Sequence, residues 1–296
     1  MSKNLSILLP TYNCDCTALI SELQRQCVAE RTNFEIIVAD DASPDKRFII
    51  KNRTISNLDG VRYIERKQNV GRSAIRNYLV SQSSKEWILF IDGDLSLNNA
   101  KFIHNYLKAE GDVIVGGISI VENEKRWGNN LRYRYEHSSK EAISAENRRK
   151  TPYQHLSTNF IANRKLIGKN PYNEDIKQYG FEDVLLGKRF KALNAKINHI
   201  DNPVLFNDFE LNAVFLCKTE EALRTLSTFQ TELKGYSNLL KITGKLQKMH
   251  ISWIGVWLYK FLHKPLKHNL KGNNPSVFLF NIYKLLYFLH YNSIRK

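Results

Sequence analysis

The sequence is poor in the features that would cross-link it or carry it through a bilayer. It has four cysteines in 296 residues, Cys14, Cys16, Cys27 and Cys217. That is too few for a dense disulfide scaffold, and none forms the Cys-x-x-Cys pair of a zinc ribbon or redox site. Cys14-Asp-Cys16 is a weak metal signal on its own, and reduced thiols are the plainer reading. No stretch reaches about 18 apolar residues without a charge, so no ordinary spanning helix is expected. The opening MSKNLSILLP has only a short apolar run before a proline and no cleavage-site pattern, so no export signal is read there. From Leu233 onward there is no Asp or Glu at all. Of the net charge of +15, the last 64 residues supply +11 through ten lysines and one arginine. A general nucleic-acid binder is not expected to segregate its charge in this way, so nucleic acid is not an expected partner. An anionic surface met by the C-terminal end is.

What is present suits a large folded body. The chain is 43% hydrophobic and 25% charged, enough to bury a core, and its length fits two average domains or one α/β domain with an appendage. The first 120 residues alternate short apolar runs with amphipathic ones. Leu5–Leu9 reads as a strand stopped by Pro10, followed by strands at Phe34–Ala39, Val61–Glu65, Trp87–Ile91 and Asp112–Val115. Ser73–Val80 is the clearest helix, with Ala74, Ile75, Tyr78 and Leu79 at helical spacing. Near-continuous apolar strands separated by helices predict an α/β fold with a mainly parallel central sheet covered on both faces. In such sheets ligands sit beyond the carboxyl ends of the strands, where Thr11, Asp40, Asp41, Asp92 and Asp94 collect. Residues 121–155 are polar and charged, and read as a mobile loop or helix over the sheet. A strand-like run follows at Ser157–Ala162, then a helix opened by Gly180-Phe-Glu-Asp183, and Asp201–Leu205 closes this part.

Five short motifs stand in order along this frame: Leu8-Leu-Pro-Thr-Tyr-Asn13, Ile37-Val-Ala-Asp-Asp-Ala-Ser43, Asn69-Val-Gly-Arg-Ser-Ala-Ile-Arg-Asn77, Asp92-Gly-Asp94 and Gly180-Phe-Glu-Asp183. Each alone can mark a turn or a helix start. Together, each at a strand end or helix start, they resemble the family 2 inverting glycosyltransferases of GT-A fold over about residues 4–210. The stretch from Asn202-Pro-Val to Lys218-Thr-Glu-Glu-Ala-Leu223 is similar to bacterial members that build surface polysaccharide.

The residue chemistry suits such a donor. Asp41 can accept the N3–H of a uracil, and the resemblance places Pro10, Thr11 and Tyr12 beside that base. Asp92 and Asp94 flank a glycine that lets the chain turn sharply, and their hard oxygens suit Mg²⁺ or Mn²⁺ bridging a diphosphate. The resemblance implies that Asp94 ligates the metal while Asp92 lies against the ribose and the metal's water shell. Arg72 and Arg76 can reach phosphates or form surface ion pairs. One-step inversion needs a carboxylate opposite the leaving group to take the acceptor's proton. Asp183 matches the family's base, with Glu182 orienting the acceptor and Phe181 stacking on a sugar face. For Asp41, the Asp92–Asp94 turn and the Glu182-Asp183 pair, the plain alternatives are a cap, a turn and a helix-dipole partner.

Two departures from the family pattern matter. Related sequences often have a histidine metal ligand where Phe206-Asn207 stands here; His199 lies earlier, on an expected strand, and reads as structural, while Asn207 or Asp208 could supply oxygen. The Gln/Arg-x-x-Arg-Trp motif of processive synthases is absent after Asp183, since Arg126-Trp127 lies upstream without the leading residue. This implies a non-processive enzyme.

The expected organisation is a glycosyltransferase domain over residues 1–210 and a basic, aromatic helical region over 211–296. Its apolar runs, Ile251–Leu262 and Val277–Leu289, mix Trp253, Trp257, Tyr259, Tyr283 and Tyr287 with lysine. Such helices suit a membrane interface or form a hairpin docked on the catalytic domain. The chain is thus expected to be cytoplasmic, peripheral on the inner face of the membrane, and to use a divalent metal. It would move a sugar from a nucleotide donor, a UDP-sugar for preference, to a saccharide or lipid-linked saccharide acceptor. A non-catalytic nucleotide-sugar-binding protein is the alternative.

Overall fold

The computed structural model describes residues 3–141 and 143–295. Met1, Ser2, Ala142 and Lys296, the last of them one of the C-terminal lysines counted above, lie outside the described residues. The strands are β1 (Leu5–Thr11), β2 (Phe34–Asp40), β3 (Val61–Glu65), β4 (Trp87–Phe90), β5 (Val113–Val115), β6 (Ile118–Ile120), β7 (Phe160–Asn163), β8 (Ile197–His199) and β9 (Val204–Phe206). The α-helices in the first half are α1 (Thr17–Ala29), α2 (Lys46–Arg53), α3 (Gly71–Gln82), α4 (Phe102–Lys108), α5 (Glu124–Trp127), α6 (Leu131–Ser138) and α7 (Ala145–Arg149). They are followed by α8 (Arg164–Ile167), α9 (Glu182–Ala192), α10 (Asn212–Thr228), α11 (Asn238–Lys248), α12 (Ser252–Lys271) and α13 (Val277–Arg295). The chain forms two compact units. The first takes residues up to Val121, Lys140–Lys177 and Glu182–Asp208; the second takes Glu122–Ser139, Gln178–Phe181 and the chain from Phe209.

The first unit is built on a seven-stranded sheet in the order β3-β2-β1-β4-β7-β5-β8. Its strands run parallel except β7, which is antiparallel to both β4 and β5. The sheet is thus mainly parallel, as its apolar strands predict. Leu5, Ile7, Leu8 and Leu9 of β1 are all fully buried, because helices cover both faces. On one face α3 sets Ile75, Leu79 and Val80 against Leu8, Ile37 and Phe90. The Phe90 and Phe160 rings stack 5.0 Å apart across the β4–β7 pair, a contact of the kind that fixes register.

One local expectation needs correction. Pro10 does not stop β1, which runs on to Thr11 opposite Asp40. The Pro10 carbonyl accepts the Gly93 amide at 3.2 Å on the β4 side, where β4 has already ended at Phe90, so its missing N–H forfeits no ladder bond. A small parallel sheet of β6 and β9, pairing Ile118 with Val204, was not legible in its three-residue strands. The polar stretch 121–155 holds three short helices, α5 to α7, divided between the two units.

In the second unit α10, α12 and α13 share a core. Tyr283, Phe280 and Phe288 of α13 are almost wholly buried, as are Leu266 and Leu270 of α12. Tyr259, which stacks on His290 at 4.4 Å, belongs to the same packing. The aromatics of the C-terminal runs are therefore divided. Tyr259, Tyr283 and Tyr287 are buried in the helix packing, whereas Trp253, Trp257 and Phe261 of α12 are 64%, 54% and 63% exposed. No helix among the described residues is long and apolar enough to cross a membrane.

Candidate active site

The strand order of the first unit reverses between β1 and β4, and a crevice opens at such a reversal beyond the carboxyl ends of the strands. Thr11 ends β1 there, with Tyr12, half exposed, following it. Asp92 and Asp94 follow β4. A Cβ at Gly93 would overlap the Thr11 methyl, so only glycine lets the two strand ends close up.

Asp40 ends β2 and Asp41 follows it, and the two do different work. Asp40 is buried and turns inward on its own loop, accepting from the Ser43 amide at 2.7 Å and the Ser43 hydroxyl at 2.6 Å. Asp41 reaches across to the start of α3, where its two oxygens accept the amides of Val70 at 2.9 Å and Gly71 at 3.0 Å. Gly71 takes a left-handed φ of +83°, and a Cβ there would press on the Lys177 carbonyl, so glycine is required for this approach. Burial pushes the Asp41 pKa up, although the two amides oppose it. The carboxylate thus meets the orphan amides of a helix start, and each oxygen keeps a second lone pair.

Helix α3 then presents two arginines one turn apart to two carboxylates from distant parts of the chain. Arg76 Nη2 lies 2.5 Å from Asp92 Oδ1, and Arg76 Nη1 lies 3.5 Å from Glu182 Oε1. Arg72 spans the same two groups, at 3.3 Å from Asp92 and 2.7 Å from Glu182. Arg76 is fully buried. The sequence left it between phosphate contact and a surface ion pair, and its ion pairs are internal. Placed three residues before Leu79, it lies on the apolar face of α3; a charged residue at that position was the signal available. Burial alone would raise the pKa of Glu182, but the charges of Arg72 and Arg76 outweigh it and hold the group below the usual carboxylate range.

Asp183 is the next residue, in the first turn of α9. Burial and the negative charge of Glu182 push its pKa up to about 6, while Arg72 draws it down. A carboxylate ionised at neutral pH and basic enough to accept a proton fits the role expected of Asp183. Gly180 and Phe181, immediately before, both have positive φ, +99° and +70°. Phe181 belongs to the second unit, where it lines a cavity.

The remaining candidates are placed as follows. Asp94 is exposed at the strand end. Among the described residues no group of three or more His, Cys, Asp and Glu side chains is placed to hold a metal ion. Phe206 is buried in β9, and the Asn207 amide donates to the Ser96 hydroxyl at 3.1 Å. His199 is a structural residue. It is buried in β8, its Nδ1 receives the Arg148 Nε–H at 3.3 Å and its Nε2 donates to the Pro152 carbonyl at 2.9 Å. Burial lowers its pKa to about 4, so it is neutral.

Comparison with known proteins identifies the family and the fold. The model of "Glycosyl transferase family 2" matches residues 6–169, more than half of the chain. The poly(ribitol-phosphate) beta-N-acetylglucosaminyltransferase TarS of Staphylococcus aureus is 34% identical over 97 residues, covering 31% of this chain and 16% of TarS. An uncharacterized glycosyltransferase of Haemophilus influenzae is 31% identical over 33% of this chain and 38% of its own length. The chain therefore spans well under half of these curated relatives. Among solved structures, S. aureus TarS 1–349 with UDP-GlcNAc superposes with a TM-score of 0.53 at 18% identity, covering 99% of this chain and 92% of that one. The mannosyltransferase PcManGT of Pyrobaculum calidifontis, with GDP-Man and Mn²⁺, gives 0.55 at 13%, covering 100% and 87%. At these identities the likeness is one of fold, the GT-A fold.

Proposed function

The chain belongs to glycosyl transferase family 2, and on that premise we propose that it is an inverting, non-processive glycosyltransferase. It moves a sugar from a UDP-sugar to a saccharide acceptor, free or lipid-linked, in the synthesis of a cell-surface polysaccharide. The observation that carries this reading is the double arginine bridge. Arg72 and Arg76 join Asp92, at the donor end of the crevice, to Glu182, next to the candidate base Asp183.

The residues divide the work. Asp41 offers its remaining lone pairs to the uracil N3–H, with Pro10, Thr11 and Tyr12 beside the base. The acceptor hydroxyl attacks the anomeric carbon from the face opposite the diphosphate. The bond to the diphosphate oxygen breaks with its electron pair, and Asp183 takes the hydroxyl proton. Glu182, kept ionised by its arginines, orients the acceptor hydroxyl.

The donor set suits a hard divalent ion. The chain offers the two carboxylates of Asp92 and Asp94, and Mg²⁺ is typically bound through one or two carboxylates with substrate phosphates completing its shell. Mn²⁺ or Mg²⁺ held by Asp94, with Asp92 near its waters, would neutralise charge on the leaving diphosphate.

The second unit supports attachment to the inner face of an anionic membrane. Trp253, Trp257 and Phe261 recur every four residues along α12, exposed, with Lys260 and Lys264 nearby and no acid beyond Leu233. Exposed aromatics among lysines suit an interfacial helix.

A thermal-shift screen of nucleotide sugars with and without Mn²⁺, followed by a donor-hydrolysis assay, tests the reading. UDP-sugars should raise the melting temperature, more so with metal, and be turned over slowly in water. Binding without any turnover, with or without candidate acceptors, would leave a nucleotide-sugar-binding protein instead.

A further inference from the structure

The second unit has a solvent-open cavity of about 680 Å³ lined by α6, α10, α11, α13 and the segment ending at Phe181, a size that takes a small organic ligand. Its wall has two characters. One part is apolar, aliphatic at Leu223, Leu239, Ile242 and Leu285 and aromatic at Phe181 and Phe215. The other brings in Arg132, Lys218 and Lys284 against a single carboxylate, Glu136. Arg132 and Lys218 are held by Glu210, at 2.6 and 3.1 Å. Lys284 differs from both. Among the described residues no carboxylate comes within 4 Å of its ammonium, which donates to the Tyr135 hydroxyl at 3.3 Å and lies over the rings of Tyr135 and Phe280. Burial lowers its pKa to about 8, against a weaker pull upward from Glu136. A half-buried cation with no carboxylate in contact with it beside an apolar chamber is costly, and a bound anion would reduce that cost.

We propose that this cavity binds a single-chain lipid phosphate, with the phosphate at Lys284 and Lys218 and the hydrocarbon chain along the apolar wall. Glu210 and Glu136 answer Arg132 and Lys218, which leaves Lys284 as the surplus cation, and a surplus cation selects an anionic head. The wall is mainly apolar, which suits a hydrocarbon chain better than a sugar. The assignment goes beyond the transferase reading and does not need it; that such a lipid carries the acceptor rests on that reading, because Phe181 joins this wall to Glu182-Asp183 in sequence.

The test uses the full chain without donor or metal, titrated calorimetrically with octyl phosphate, decyl phosphate, decanol and inorganic phosphate. Decyl phosphate should bind at least tenfold tighter than decanol and than inorganic phosphate. Affinity should rise roughly fourfold for each methylene added from octyl to decyl. Lys284→Met should cost decyl phosphate tenfold or more while leaving decanol unchanged. Ile242→Asp, on the exposed side of the apolar wall, should weaken both. The exposed Lys245→Met, away from the cavity lining, should change neither. Decyl phosphate binding no tighter than decanol, or inorganic phosphate equalling it, overturns the proposal. So does an equal loss in Lys245→Met and Lys284→Met, which would mean attraction to the basic surface as a whole. A chain that binds decyl phosphate but transfers no sugar keeps the lipid site and loses the transferase reading.

Discussion

The carboxylate of Asp92 and the guanidinium of Arg76 meet at 2.5 Å, with the arginine side chain only 2% exposed. The same guanidinium reaches Glu182, so one buried cation serves two carboxylates that lie on different elements. Its removal would leave both carboxylates to Arg72 alone, which is the more exposed of the two arginines. Arg76→Met should therefore destabilise the fold by about 3–5 kcal/mol, the scale for breaking a buried ion pair from one side. Arg76→Lys, which keeps the charge and loses the fork, should cost less. Urea denaturation of the three proteins checks the order.

Asp183→Asn should cut sugar transfer by roughly 10²-fold or more, the scale for removing a positioned base, and leave UDP-sugar binding nearly unchanged. Near-normal turnover would take Asp183 out of the mechanism.

The pH profile should follow from the same residue. A base works in its ionised form, so kcat/KM should be low below pH 6, rise as Asp183 loses its proton through about 6, and level off above. Neutralising Glu182 as Gln removes the negative charge that helps raise the Asp183 pKa, and the rising limb should move to lower pH. A limb that stays in place in Glu182→Gln would show that another group titrates.

Asp94→Ala and Asp41→Ala should fail in different ways. The first should weaken UDP binding only in the presence of Mn²⁺. The second should weaken it with or without metal, and should also lower the melting temperature, because the amides of Val70 and Gly71 lose their acceptor. Equal metal dependence in both variants and the parent would contradict this division.

Much of this arrangement is legible in the sequence, and the reasons for the exceptions are physical. Strands β1 to β4 can be read because parallel strands buried on both faces are continuous apolar runs. The direction of β7 cannot, since Phe-Ile-Ala-Asn reads the same whichever way it pairs. Asp41, Asp92, Asp94 and Asp183 stand out as carboxylates at strand ends or a helix start. Arg76 does not, because its partners are 16 and 106 residues away in sequence and only folding brings them together. The C-terminal runs show the limit of composition. Trp257 and Tyr259 stand two residues apart in one apolar run, yet one faces outward and the other is buried.

That split sets the membrane experiment. Ending the chain near Leu233 would remove α13 and uncover Leu216, Leu223 and Leu226 of α10, which are buried, so truncation would mix unfolding with lost binding. Replacing Trp253, Trp257 and Phe261 by Ser alters exposed positions only. The triple variant should keep its melting temperature within a few degrees and lose most co-sedimentation with anionic liposomes. The parent should bind neutral liposomes more weakly and be only partly released by high salt. Each lysine near the surface contributes on the order of 1 kcal/mol and is screened by salt, whereas the aromatic contribution is not. Unchanged liposome binding by the triple variant would remove α12 as the anchor.

The single antiparallel strand has a further consequence. Because β7 runs against its neighbours, Phe160 stands opposite both Phe90 and Val115, so the chain leaves β5 and re-enters the sheet on one edge, the edge that carries Asp92. The intervening excursion, from Gly116 to Asn159, never has to traverse the sheet. Beyond β6, which pairs with β9, its length can change without shifting the register of the seven-stranded sheet, as a handle can be exchanged on a fixed blade. A parallel crossover would have tied that length to the width of the sheet. Under the proposed function, selectivity for the sugar or its acceptor would be rewritten within the excursion while the ends of β1, β2 and β4 stay as they are.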